Sequence, residues 1–285
     1  MAEEFLRIGE LSRRVGVSVE LLRAWERRYD LLSPARTPGG FRLYSADDVA
    51  RVLSMRANLE RGLSAAEAAR ATLAGVRESE TPFLVDGSHE LSRALESFDE
   101  VEAQAALDRA LAGLSIEAVL QNIVIPHLHE LGERWERGEI SIGQEHFATN
   151  VVRGRLAGLA RGWGRGVGPR ALLACVQGEQ HDLPLLIFGI ALRAHGWRIS
   201  FLGANTPLES LVHTVDVLAP SAVVLTGTVP GVFDGLIDGL RDVAERAPLY
   251  LAGAASSDEL ARAAHAMYLD GDLLAAARTV SEHHV

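Results

Sequence analysis

Apolar positions follow three successive rhythms along the chain. In the first eighty residues they recur at helical spacing in short bursts. Ile8, Leu11, Val15 and Val17 form the apolar side of a short helix and its turn, with Gly16 at the break. Leu22, Trp25 and Tyr29 stand at i, i+3 and i+7 on one side of a second helix running from Val19 to about Tyr29, and Arg23, Arg27 and Arg28 lie elsewhere on it. Ser18, just ahead, suits the N-cap because its hydroxyl accepts from orphan backbone N–H groups. Arg36 to Tyr44 reads as a Pro/Gly turn between two short extended arms, which completes a winged helix-turn-helix. Ser45 with Asp48, and Ser64 with Glu67, are capping boxes that open two more helices.

Residues 79–88 break the helical pattern and read as a linker. From Glu90 to Trp163 the pattern is helical again, about four helices' worth. The third covers roughly Ile116–Arg137, with a kink expected at Pro126 and an end at Gly138. Ser141 and Gln144 form another capping box, placing Glu145 and His146 in the first turn of the next helix. The glycines between Gly162 and Pro169 follow no strand, so they read as a flexible linker and not as a dinucleotide loop. From Arg170 onward five short apolar runs of β type alternate with amphipathic helices: residues 171–177, 197–203, 221–228, 248–254 and 267–270. That alternation predicts a doubly wound parallel sheet of flavodoxin or Rossmann type. The fold class is therefore multi-domain, α and α/β: a winged helix-turn-helix over 1–78, a four-helix bundle over 89–163 and the parallel sheet over 169–285. Glu179 and His181 fall at the end of the sheet's first strand, where such sheets bind ligands.

Charge sharpens this division. The chain carries a net −10, yet residues 1–78 hold 13 Arg against 11 Asp plus Glu, while residues 79–285 hold 15 Arg against 27 acids. Phosphate contact depends on the local patch, so an acidic remainder is compatible with a DNA-reading head. The single cysteine, Cys175, excludes an intramolecular disulfide framework and a multi-cysteine metal site. No apolar run is long enough to span a membrane and the N-terminus lacks the pattern of a secretion signal, so the expected compartment is the cytoplasm.

The segment from Ile8 to Val49, IGELSRRVGVSVELLRAWERRYDLLSPARTPGGFRLYSADDV, resembles the MerR family of transcription regulators. It carries the family's Arg-x-Trp-Glu-Arg sequence at residues 23–27 and the Pro-Gly-Gly-x-Arg wing at 38–42. The resemblance implies a recognition helix in the major groove and wing arginines on phosphate or in the minor groove. Arg23, Arg27, Arg28, Arg36, Arg42 and Tyr44 are the expected contacts, with Trp25 a core residue and double-stranded operator DNA the partner. Helix-turn-helix proteins bind paired half-sites as dimers, so self-association is expected from the rest of the chain.

Residues 90–285 resemble the cobalamin-binding module shared by methionine synthase, corrinoid methyl carriers and light-sensing MerR regulators of the CarH type. Three features carry this: Trp135 followed after nine residues by Glu145-His146; Glu179-x-His181, part of the family's acid-x-His-x-x-Gly motif; and Thr226-Gly227-Thr228 with Ala252-Gly253-Ala254. The resemblance implies that Trp135, Glu145 and His146 lie over the upper face of adenosylcobalamin. It implies that His181 is the lower cobalt ligand with Glu179 behind it, and that Thr226, Gly227, Thr228, Ala252 and Gly253 grip the displaced nucleotide tail. A neutral imidazole suits cobalt, and an acid two residues away can fix its tautomer. Three positions depart from the pattern. Pro184 and Ala252 stand where glycine is expected. Glu136 stands where the light-sensing regulators carry a histidine that ligates cobalt after photolysis, leaving open whether His146 or water takes that place or Glu136 is only a solvated helix residue.

The whole implies a repressor, not an enzyme: DNA bound in the dark with adenosylcobalamin by a dimer or tetramer, and released after light breaks the cobalt–carbon bond. A regulator that senses cobalamin or another ligand without photochemistry is the alternative, and a corrinoid methyl carrier a more distant one.

Overall fold

The computed structural model describes residues 5–36 and 41–284, with side chains throughout except at 36 and 74–86. They form two compact units, Met1–His129 and Glu130–Val285. Among the described residues no helix is long and apolar enough to cross a membrane.

In the first unit, β1 (Leu6–Arg7) leads into α1 (Ile8–Val15) and α2 (Val19–Tyr29), then β2 (Ala35–Arg36) and β3 (Arg42–Tyr44). The strands pair antiparallel in the order β1-β3-β2. Residues 37–40, with the Pro-Gly-Gly of the wing, lie outside the described residues. α2 starts as its sequence directs, the Ser18 hydroxyl accepting from the Leu21 N–H at 3.2 Å. Leu11, Val15, Leu22, Trp25, Leu31, Tyr44, Val52 and Met55 form the core beneath it. α3 (Ala46–Glu60) and α4 (Ala65–Glu96) both open with the expected capping boxes.

One expectation is corrected here. Residues 79–88 do not interrupt the helix: α4 runs through them. Ala68, Ala69 and Thr72 before the polar stretch, and Leu91, Ala94 and Leu95 after it, are buried, and a helix anchored at both ends needs no apolar stripe between them. Near Pro126, where the sequence expects a kink, the helix changes its hydrogen bonding. After α5 (Glu100–Gly113), α6 (Ile116–Val119) passes into a π-helical turn, Leu120–Val124, and then α7 (Ile125–Glu136), which crosses into the second unit. The proline lacks an N–H and crowds the carbonyl four residues back. The wider turn before it, with the Ile125 N–H reaching the Leu120 carbonyl, absorbs that conflict.

In the second unit α8 (Ile142–Leu159) precedes a five-stranded parallel sheet. Its elements are β4 (Arg170–Val176), α9 (Leu183–Ala194), β5 (Arg198–Thr206), α10 (Leu208–Leu218), β6 (Ala222–Thr226), α11 (Ile237–Ala244), β7 (Leu249–Ala252), α12 (Asp258–Ala263), β8 (Met267–Tyr268) and α13 (Leu273–His283). The strand order β5-β4-β6-β7-β8 is the flavodoxin order, with its switch point between β4 and β6. β4 is buried at six of its seven positions, as a central parallel strand requires. The glycine-rich stretch 162–168 is no free linker. Trp163 is buried edge-on to Phe201 and fills the space beside Gly189, and its carbonyl accepts from the Ile199 N–H at 3.0 Å.

Candidate functional site

At the carboxyl edge of the sheet, Cys175, Thr226 and Ala252 stand in register on adjacent strands. The loop after β4 therefore lies beside the loop after β6, at the switch point. Glu179 joins them. Its side chain is 0% exposed, and both carboxylate oxygens are occupied. Oε1 accepts from the His181 N–H at 2.7 Å and from the ring Nδ1 at 2.6 Å. Oε2 accepts from the Thr228 hydroxyl at 2.6 Å, the Thr228 N–H and the Val229 N–H. Burial by itself opposes ionisation of Glu179, but the donors together outweigh it and hold its pKa at about 2.

In the neutral imidazole an ionised carboxylate at Oε1 fixes the proton on Nδ1, which leaves the lone pair on Nε2. The His181 side chain is 67% exposed. A buried acid thus presents an outward-facing imidazole nitrogen, the donor a single open metal position requires, and the arrangement fits the cobalt of a corrin. Asn205 braces the loop from β5: its Oδ1 accepts from the Gly178 N–H and its N–H donates to the Glu179 carbonyl, both at 2.8 Å. Burial pushes the Cys175 thiol up to about 12. Pro184 occupies the first turn of α9, where a missing N–H costs nothing, so it does not disrupt the loop.

The small residues after β6 and β7 serve the protein's own packing. A Cβ on Gly227 would come within 2.6 Å of Val232 and 2.7 Å of Phe233, and one on Gly253, at φ +91°, would strike the Gly227 carbonyl.

On the helical side of this unit, Trp135 is 49% exposed although large and apolar. Glu145 and His146 open α8 after the Ser141 capping box, with 3.5 Å between His146 Nε2 and Glu145 Oε2. Thr149 donates to Glu145 at 2.8 Å. Seven residues on from His146, and so on the same stripe of α8, Arg153 pairs with Asp182 at 2.7 Å. Asp182 is His181's neighbour. The helix face bearing His146 therefore reaches, two turns later, the loop that carries the candidate ligand.

In the first unit Arg23, Arg27 and Arg28 are exposed on α2. Arg42 Nε donates to Glu26 Oε1 at 2.7 Å, and the Tyr44 hydroxyl donates to Glu26 Oε2 at 2.8 Å. One acid on α2 thereby clamps both ends of β3. Tyr44 is 0% exposed, which removes it from the surface contacts expected of it; burial, then the Glu26 carboxylate, holds its hydroxyl protonated well above the usual range. The Arg36 side chain lies outside the described residues.

A family model described as "MerR HTH family regulatory protein" matches residues 6–74, and one described as "B12 binding domain" matches residues 88–159. The "HTH-type transcriptional repressor CarH" of Myxococcus xanthus is 33% identical over 272 residues, covering 90% of this chain and 91% of the relative. The chain belongs to the CarH-type repressors of the MerR family. The "HTH-type transcriptional repressor CarA" of the same organism is 36% identical over 226 residues, 78% of this chain and 76% of that one. A monomethylamine corrinoid protein from Methanosarcina barkeri shares the fold, with a TM-score of 0.55 at 18% identity over 68% of this chain and 96% of its own.

For this CarH-type chain, the structure brings Glu179, His181 and Thr228 into one hydrogen-bonded group, and it sets Thr226, Gly227, Ala252 and Gly253 along the same sheet edge. Sequence reasoning missed Asp182, Arg153, Asn205 and Glu26. Asn205 carried one usable signal, a polar residue prone to positive φ at a strand end; its φ is 52°. The ion pair carried none, because its partners stand 29 residues apart on separate elements.

Proposed function

We propose that this CarH-type chain is a light-responsive transcriptional repressor that binds operator DNA in the dark with adenosylcobalamin bound. The observation that carries the reading is the exposed His181 imidazole, its Nδ1 proton held by a buried, fully satisfied Glu179. Residues 1–78 read DNA through Arg23, Arg27, Arg28, Arg36 and Arg42. Trp135, Glu145 and His146 of the helical segment and the edge of the sheet in residues 169–285 would hold the cofactor. His181 Nε2 would be the nitrogen that holds cobalt. Thr226, Gly227, Thr228, Ala252 and Gly253 line the edge that takes the tail. Trp135 offers an aromatic surface for stacking, and Glu145 and His146 offer polar groups for ribose hydroxyls. Bound adenosylcobalamin supplies a cobalt–carbon bond that green light breaks.

In the dark, Trp135, Glu145 and His146 grip the adenosyl group and hold one arrangement of the helices, which supports a dimer or tetramer on DNA. After light they lose that contact, α8 moves, the assembly loosens and the arginines leave DNA. The cofactor thereby selects between two states of the chain by binding one more tightly. The chain acts in the cytoplasm, where DNA is at hand.

The test is size exclusion and gel shift on the purified, loaded chain, before and after green light. Light should reduce both the oligomer and the DNA complex. His181→Ala should lose protein nitrogen ligation in the absorption spectrum. Loading with assembly that ignores light would leave a cobalamin sensor without photochemistry, a reading that the exposed carboxylate of Glu136, at the end of α7, favours. Wild-type affinity and spectrum in His181→Ala would remove His181 from the site.

A further inference from the structure

On α2 the core-facing stripe is Leu22, Trp25 and the partly buried Tyr29. At 100° per residue, Glu20, Arg23 and Arg27 fall at i, i+3 and i+7 on the opposite side, and all three are exposed. The outward stripe of the reading helix therefore begins with an acid and continues with two arginines. An acid there is costly: against a duplex it faces phosphates, and every site bound non-specifically leaves it repelled. The carboxylate does not escape by protonation. Its own N–H, the Ser18 hydroxyl and the charge of Arg23 all favour the ionised form.

Recognition helices touch base edges with their N-terminal residues, and Glu20 is the second residue of α2. In the major groove a carboxylate is an acceptor, so it needs an exocyclic amine. Adenine places its amine next to the N7 acceptor, which repels a carboxylate, whereas cytosine offers N4 without such a neighbour. We propose that Glu20 is a specificity-determining residue that accepts a hydrogen bond from cytosine N4 at one base pair of each operator half-site, its charge penalising every other base and non-specific DNA. The inference rests on the DNA-reading function proposed above and adds the base that is read.

The test uses the full chain, loaded with adenosylcobalamin in the dark, and a pool of randomised duplexes. Wild type should select cytosine at one position per half-site, and replacing that pair by T·A should weaken binding roughly tenfold or more. Glu20→Ala should lose that preference, with less than a twofold difference between the two duplexes. It should also bind unrelated DNA at least about twofold more tightly, with an unchanged salt slope, because no phosphate contact is removed. An acid that served only to start the helix would leave base preference untouched on removal. Unchanged preference in Glu20→Ala, or a selected site with no such cytosine, overturns the assignment while leaving DNA reading intact. A wild type that selects no sequence at all overturns both.

Discussion

Glu179→Gln changes one oxygen to an NH2 group in the middle of the site. In the native chain two oxygens accept from five donors. The amide oxygen goes where donors are most numerous, toward Thr228 and Val229, which turns the NH2 toward His181. The His181 backbone N–H then loses its acceptor, at about 1–3 kcal/mol. The ring, facing a donor, must accept at Nδ1 and carry its proton on Nε2, so the outward lone pair disappears. A carboxyl drawn from its ordinary 4.5 down to about 2 by the fold represents about 3 kcal/mol of stabilisation near neutral pH. Both routes put the loss at pH 7 at about 3 kcal/mol or somewhat less. Because the folded pKa is the lower one, the wild-type advantage is complete above pH 4.5 and fades as pH falls through the window from 4.5 to about 2. Urea melts of the two proteins at pH 7 and at two points inside that window measure the difference. The absorption spectrum of added cobalamin reports nitrogen ligation, which the variant should lack. A variant with the wild-type midpoint and slope at pH 7 and an unaltered spectrum would refute the account of Glu179.

Other outcomes follow from neighbouring contacts. Glu26→Ala should lower stability by about 1–3 kcal/mol and weaken operator binding, and combined with Tyr44→Phe it should cost less than the sum of the two, as a double-mutant cycle by urea melts would show. Arg153→Ala leaves the largely buried Asp182 without its cation, so the second unit should lose about 1–2 kcal/mol and cobalamin affinity should fall, measured by thermal melts and titration. Cys175, its thiol pushed up to about 12 by burial, should resist a thiol reagent at pH 8 in the folded chain and react at once in urea; rapid native labelling would contradict its burial.

The elements readable in the sequence were those with local causes. Ser18, Ser45, Ser64 and Ser141 start helices through bonds to residues three positions on, and the five β-type runs became five strands. Glu179 and His181, two residues apart in one loop, were readable for the same reason. The signals that failed depended on distant partners. Gly162–Gly168 looked loose until Trp163 was seen filling the space beside Gly189, and Tyr44 looked like a surface contact until Glu26 claimed its hydroxyl. The bond from the Thr228 hydroxyl and N–H to Glu179, forty-nine residues back, had no local signal either. Composition cannot report such pairings, because each residue taken alone has an ordinary local role.

The exposure of Trp135 gives the chain an optical property. Of its four tryptophans, Trp25, Trp163 and Trp197 are 3%, 7% and 2% exposed, and Trp135 alone is near half. A water-soluble quencher such as iodide therefore meets a single indole on the native protein, and the emission it removes is that of the proposed upper face. Covering Trp135 should shift its emission to the blue and shield it from iodide, while the other three supply a constant background. The chain thus carries its own fluorescent gauge of whether that surface is covered, with no label added.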